Sequence, residues 1–333
     1  MWKYYTCKFE IKEGNNNEMR IKSIRVENNN ILGNIFLEFT DPNGEILNTV
    51  IIAGENGTGK STILNIIYEF SNYGVINNPA SEEKRTFITQ LSQQDIEKII
   101  GHKHSKAYFA DGILNNELQF YYDLSIQNWD QIKITFKDLL GNNKEFQGGI
   151  FAVEELIPIF KTIFSDVEIN FSTNNISNVT SKDIDEKIIN SIKSSPDLAS
   201  DITQLLIDIQ ALDAEEFMNW GRNNIDKPVD VDMMDIRMRR FKQAFNFMFP
   251  SKRFKGVKNE SGFKKVIFEE NGKEMSLDKL SSGEKQIVFR GSFLLKDQKS
   301  NKDILVLIDE PELSLHPNWQ LNIIDFYKKL FTK

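Results

Sequence analysis

Residues 54–62 read Gly54-Glu55-Asn56-Gly57-Thr58-Gly59-Lys60-Ser61-Thr62. The stretch fits the pattern G-x-x-x-x-G-K-[ST], with Gly54, Gly59, Lys60 and Ser61 at the fixed positions. Each residue type has a chemical reason. Glycines let the backbone curl until several N–H groups point at one phosphate chain. The lysine of such a loop reaches the outer phosphates of a nucleotide, and the serine hydroxyl holds Mg²⁺. All nine residues from Gly54 to Thr62 are therefore candidate nucleotide contacts. The flanks agree. Asn48-Thr49-Val50-Ile51-Ile52-Ala53 predicts a buried strand entering the loop, and Ser61 to Tyr68 predicts a helix leaving it, with its positive end at the phosphates. A chance match in a chain of this length is on the order of 1 in 100 from average residue usage. The strand and helix on either side lower it further.

Two more stretches carry chemistry. Ile304-Leu305-Val306-Leu307-Ile308 is apolar without alternation, which predicts a strand buried on both faces, as in a parallel sheet. It ends in Asp309 and Glu310, at the edge where open α/β sheets bind ligands. Asp309 fits a Mg²⁺-holding carboxylate. Glu310 fits a base that polarises a water for attack on a phosphate. Taken alone, the same letters also describe a strand followed by an acidic turn. Upstream, Leu280-Ser281-Ser282-Gly283-Glu284-Lys285-Gln286 precedes the apolar run Ile287-Val288-Phe289. Ser281, Ser282 and Gly283 there make either a second anion site at a helix start or a simple N-cap.

Composition bounds the rest. The chain has 333 residues, 40% hydrophobic and 27% charged, enough for one large core or two moderate ones. Its one cysteine, Cys7, excludes an internal disulfide and fits a reducing cytoplasm. No apolar run approaches the ~18 residues of a membrane span, so no membrane insertion is expected. A net charge of −7 argues against a surface generally coated with nucleic acid.

The three motifs, in this order, resemble the ATP-binding-cassette class of AAA-family ATPases. Leu280-Ser281-Ser282-Gly283-Glu284 is similar to the signature sequence of that class, with Ser281 as its serine. Asp309-Glu310-Pro311-Glu312-Leu313-Ser314-Leu315-His316-Pro317 resembles a Walker B element and D-loop worded as in the soluble SMC/RecF/OLD-like branch. Transporter subunits usually carry Asp where His316 stands. The resemblance covers about 19–72 and 250–331.

It implies an α/β P-loop NTPase head of the cassette type, with a mostly parallel core sheet, a smaller antiparallel β lobe and a helical insertion. ATP and Mg²⁺ are the implied cofactors, and Lys60, Ser281 and Glu310 the implied catalytic residues, with Ser61 and Asp309 on the metal. It also implies a head-to-head homodimer in which ATP on Lys60, Ser61 and Asp309 of one subunit is capped by Ser281 and Gly283 of the other. Work on DNA, or on a nuclease or toxin partner, follows by the same likeness, in genome maintenance or phage defence. An ATP-gated interaction module with little turnover and a transporter's ATPase subunit are the competing readings. Cassette ATPases also carry a glutamine loop, for which Gln90, Gln93, Gln94, Gln119 and Gln147 are candidates. Their switch histidine follows one more strand after the D-loop. Here a helix over 317–331 runs to Lys333, so slow turnover by residues 1–333 is expected.

The expected organisation is 1–75 and 250–333 as two pieces of one head, with 76–249 inserted. Leu118–Leu124 and Gln131–Phe136 alternate and predict a hairpin pair. From Ser181 to Phe249 the pattern turns helical. Leu198, Ile202, Leu205, Ile209 and Leu212 share one face, and Met234, Met238, Phe241, Phe245 and Met248 another. Two heptads each are too few for long coiled-coil arms, so a compact helical lobe with a Met/Phe core is expected. Arg237, Arg239, Arg240, Lys242, Lys252, Arg253, Lys255, Lys258, Lys264 and Lys265 form a basic run opposed only by Glu260. Such a run is either a solvated face or a track for a nucleic-acid backbone. His102 and His104 lack companions at ligand spacing and predict a surface loop.

Overall fold

The computed structural model describes residues 3–5, 19–71, 76, 81–103, 105–147, 156–160, 162–165, 198–228, 236–260, 263–295, 305–313 and 315–331. In chain order the strands and helices begin with β1 (Lys3–Tyr5), β2 (Arg20–Asn29), β3 (Gly33–Glu38), β4 (Ile51–Ala53) and α1 (Lys60–Ser71). Next come β5 (Lys84–Gln90), α2 (Gln93–Gly101), β6 (Glu117–Asp123), β7 (Ile132–Lys137), β8 (Asn143–Gln147) and β9 (Thr162–Ser165). The remainder is α3 (Leu198–Asn223), α4 (Ile236–Met248), β10 (Lys252–Glu260), β11 (Phe263–Glu270), β12 (Lys273–Ser276), α5 (Ser282–Leu295), β13 (Leu305–Ile308), α6 (Pro317–Gln320) and α7 (Ile323–Phe331). Two compact units result. One comprises Met1–Ile163 with Lys302–Leu307, the other Phe164–Asn301 with Ile308–Lys333.

The first unit is built on a six-stranded sheet of order β3-β2-β5-β6-β7-β8, antiparallel throughout. Strict alternation along β5, β6 and β7 puts Phe87, Phe120, Tyr122, Ile132 and Ile134 on the buried face. The expected hairpin is there as β6 and β7, in one sheet with the N-terminal strands. Helix α1 buries Ile63, Ile66, Ile67 and Phe70, a three- and four-residue stripe. Phe70 stacks on Phe87 with centroids 4.2 Å apart and meets Phe120 edge-on at 5.2 Å. Arg85 of β5, itself buried, ties down the same helix through Glu69 at 2.5 Å. These contacts fix where the N-terminus of α1, and so Lys60, stands. The strand entering the loop is shorter than expected: only Ile51–Ala53 pair, antiparallel to Lys3–Tyr5, while Val50 is exposed.

The second unit packs helices against the small antiparallel sheet β10-β11-β12. Met238, Phe241, Phe245 and Met248 of α4 are all core, as expected of the Met/Phe stripe; Met234 lies outside the described residues. On α3 the buried face is centred on Leu206, Ile207 and Ile209, while Leu205 and Leu212 are half-buried. Helices α3 and α4 pack against α5 and α7 as well as against each other. Gly291 allows this: a Cβ there would stand 3.0 Å from Phe241 and 3.1 Å from Phe326.

Each pairing with a defined register is antiparallel. The expected parallel core is thus not displayed in those sheets. Its intended central strand, β13, pairs with β9, and only Leu307 of it is fully buried. The helix expected over 317–331 tightens at Asn322, whose N–H bonds back three residues to Trp319 O, and so divides into α6 and α7.

Candidate nucleotide site

The loop 54–62 joins β4 to α1. Gly57 and Gly59 have φ of +79° and +93°, the left-handed region that glycine opens to a phosphate-binding loop. At Gly59 the positive φ favours glycine, and a Cβ would also lie 2.5 Å from Leu32 Cδ2, so the end of that side chain would have to shift. Thr58 Oγ1 donates to Glu55 O at 2.8 Å and closes the turn. Lys60 Nζ donates to Gly54 O at 2.9 Å and Glu55 O at 3.0 Å, which holds the amine over the loop. Gly54, Glu55, Asn56, Gly57 and Ser61 are exposed, and Thr62 is half-buried. A left-handed glycine nest, a tethered amine and an exposed hydroxyl at Ser61 make a donor set that fits a Mg²⁺–nucleotide.

The other candidates lie in the second unit. Ser281 opens α5 as a capping box. Its N–H and Oγ both donate to Glu284 Oε2 at 2.9 Å, and Glu284 N–H returns to Ser281 Oγ at 3.4 Å. Glu284 is buried and its other oxygen meets Lys252 Nζ at 2.7 Å. Ser281 and Ser282 face solvent, while Gly283 is buried. Both sequence readings of this segment are therefore accommodated: a formed N-cap, and hydroxyls left open to solvent.

Asp309 is buried at the end of β13. Its N–H donates to Ser165 O of β9 at 2.9 Å, and its carbonyl accepts from Arg290 Nη1 at 2.8 Å. Glu310 follows with φ of +42°, a left-handed conformation uncommon for a residue with a side chain. His316 caps α6, its Nδ1 accepting from Asn318 N–H at 3.3 Å, with Pro317 at the first helical position. Asp at that place would cap equally well, so the histidine keeps the local geometry.

Two participants escaped the sequence reading. The strand beside β13 is β9, and none of the five candidate glutamines is on it: Gln90, Gln119 and Gln147 are in the six-stranded sheet, Gln93 and Gln94 in α2. Arg290, a lone cation inside the apolar run Ile287–Leu295, was a visible signal that spacing rules do not score. The basic run is also broken up. Arg237 is buried, and Lys252, Lys255 and Lys258 pair with Glu284, Glu269 and Glu274. Burial, and Arg239 beside it, lower the pKa of Arg240. The run folds into a helix face and a hairpin, and its pairing carboxylates, Glu269 of β11, Glu274 of β12 and Glu284 of α5, all follow the run in the chain. His102 forms the C-cap of α2; His104 lies outside the described residues. Among the described residues no group of three His, Cys, Asp or Glu side chains could hold a metal ion. No helix among them is long and apolar enough to cross a membrane.

A family model described as "AAA domain, putative AbiEii toxin, Type IV TA system" matches residues 50–332. The chain belongs to that family. The resemblance to AAA-family ATPases drawn from the three motifs is thereby borne out. Among curated relatives in this company, the "Septu protein PtuA" of Bacillus thuringiensis is 30% identical over 133 residues, covering 35% of this chain and 33% of that protein. The "Retron Ec83 probable ATPase" of Escherichia coli is 22% identical, covering 98% of this chain and 69% of that one. The chain thus spans a third of the first relative's length. A crystal structure of the Smc head domain with an extended coiled coil, bound to the C-terminal domain of ScpA, from Pyrococcus furiosus aligns over 94% of this chain and 87% of that one. Its identity is 12% and its TM-score 0.42, a level that decides nothing further about this family member.

Proposed function

We propose that this chain is an ATP-hydrolysing head that switches between open and ATP-closed states and acts on a protein partner. The observation that carries the reading is the 54–62 loop: left-handed Gly57 and Gly59 beside a lysine held over the loop by two of its carbonyls. In this reading Lys60 exchanges those carbonyls for β- and γ-phosphate oxygens. Ser61 and Asp309 would hold Mg²⁺, which when bound offsets charge between the outer phosphates. Glu310 orients a water and accepts its proton as the oxygen attacks the γ-phosphorus and ADP leaves. Ser281, Ser282 and Gly283 would cap the nucleotide of a second copy in a C2 pair. The division into a head of 1–75 and 250–333 with 76–249 inserted belongs to the same proposal, as do a cytoplasmic location and a role in genome maintenance or phage defence.

Neutralisation of Lys252, Lys255 and Lys258 supports a nuclease or toxin partner over DNA. The relatives' printed names, a Septu protein and a retron ATPase, also suit a component of a larger assembly. Calorimetry with MgATP tests the site. Lys60→Ala is expected to abolish binding, and Glu310→Gln to keep binding while phosphate release falls about 100-fold or more. Unchanged affinity in Lys60→Ala sinks the assignment.

A further inference from the structure

Arg290 stands in the middle of α5 with no exposed surface, the largest fully buried side chain among the described residues. Its helical neighbours Ile287, Val288, Phe289, Phe293, Leu294 and Leu295 are also buried. A guanidinium in such surroundings is costly unless it is fully engaged, and an apolar residue of like volume packs there more cheaply. Packing alone therefore does not account for an arginine.

Its hydrogen bond to Asp309 O points to a different task. That carbonyl belongs to the peptide plane on the N-terminal side of Glu310. The plane on the C-terminal side is held too, because Leu313 N–H donates to Glu310 O at 3.1 Å. One step earlier, Asp309 N–H is fixed on Ser165 O. With both flanking planes hydrogen-bonded, the backbone angles of Glu310 are restrained from each side. Local preference cannot supply this conformation. Glutamate disfavours φ of +42°, and the following Pro311 restricts it further while offering no N–H of its own. Strain of this kind persists only where the surroundings impose it, and it gathers at sites whose geometry matters.

We infer that Arg290 is a positioning residue that clamps the Asp309 carbonyl and so holds Glu310 in the left-handed turn from which its carboxylate meets the attacking water. The inference rests on the reading of Glu310 as the base. A base displaced by about 1 Å loses on the order of 100-fold in rate while substrate binding stays intact.

The test uses the full chain with Arg290→Lys and Arg290→Met. In amide hydrogen exchange without nucleotide, the 305–315 segment should exchange about 10-fold faster in both, while α3, α4 and the six-stranded sheet keep their rates. In steady-state phosphate release, kcat should fall about 100-fold in Arg290→Met and less in Arg290→Lys, with KM for MgATP unchanged. Adding Arg290→Met to Glu310→Gln should slow it no further, because the positioned group is already lost. Should Arg290→Met melt below the assay temperature, Arg290→Lys carries both measurements. Exchange that is unchanged in 305–315, or that rises evenly through α3, α4, α5 and α7, overturns the inference. So does a full additional loss in the double variant. A wild-type chain that binds no MgATP or releases no phosphate overturns the proposed function instead, and local exchange then still decides whether Arg290 holds the turn.

Discussion

Gly59 meets two separate demands at one residue. Its φ of +93° is open only to glycine, and Leu32 and Ile31 close over the place where a Cβ would go. Gly59→Ala should therefore cost more than the ~1 kcal/mol of an ordinary glycine substitution with positive φ. Leu32→Ala in the same chain should return the steric part and leave the conformational part. Thermal melts of the two single variants and the double variant check this, and strictly additive losses would contradict it. Glu310 is the opposite case. There a side chain is kept in a conformation that costs ~1–3 kcal/mol, which suits the role proposed for its carboxylate.

The start of α5 serves as a cap and as a candidate contact with a second nucleotide, and the two roles can be separated. Ser282 faces solvent in the first turn of α5, where a carboxylate suits the helix and leaves the Ser281–Glu284 box intact. Ser282→Asp should therefore keep the melting temperature within a few degrees of wild type. A carboxylate facing phosphates would be repelled, so the same variant should lose the ATP-induced dimer seen by light scattering. An intact dimer would remove Ser282 from the nucleotide contact. The β10–β11 hairpin shows a second kind of element-scale device. Its register shifts between Phe254 and Gly256, and Gln210 of α3 satisfies the freed Val257 N–H at 2.8 Å. Lys255 and Lys258 of β10 are matched by Glu269 of β11 and Glu274 of β12. Charge reversal at Lys242 and Arg253, which the ion pairs leave outside, is expected not to change the slope of log affinity against log salt for DNA. A slope flattened by about one per residue would reinstate a backbone track.

For the whole molecule, the proposed cycle requires two copies. Glu310→Gln at saturating MgATP should accumulate a dimer by light scattering that dissolves when Mg²⁺ is chelated. A monomer at every ATP concentration would count against head-to-head closure while leaving nucleotide binding at Lys60 untouched.

Much of the site could be read directly because its chemistry is local. The loop 54–62, the pair Asp309–Glu310 and the Ser281–Glu284 box each fit within a few residues, and glycine, lysine and carboxylate have few substitutes there. Alternation along β6 and β7 and the stripe on α4 were equally plain, since strand and helix periods are set by backbone geometry. Other features depended on partners distant in sequence. The carboxylates that neutralise Lys255 and Lys258 come from β11 and β12. The strand beside β13 comes from 162–165, where no glutamine marked it. The close approach of α5 to Phe241 of α4 depends on Gly291, which no periodicity marks. Sequence alone named the candidates for cradling a phosphate, holding a metal or accepting a proton, because those are properties of residue type at short spacing. Only the tertiary structure decided that Glu310 is left-handed and that a buried Arg290 donates to the carbonyl just before it, because a hydrogen bond across 19 residues leaves no periodic trace in the chain.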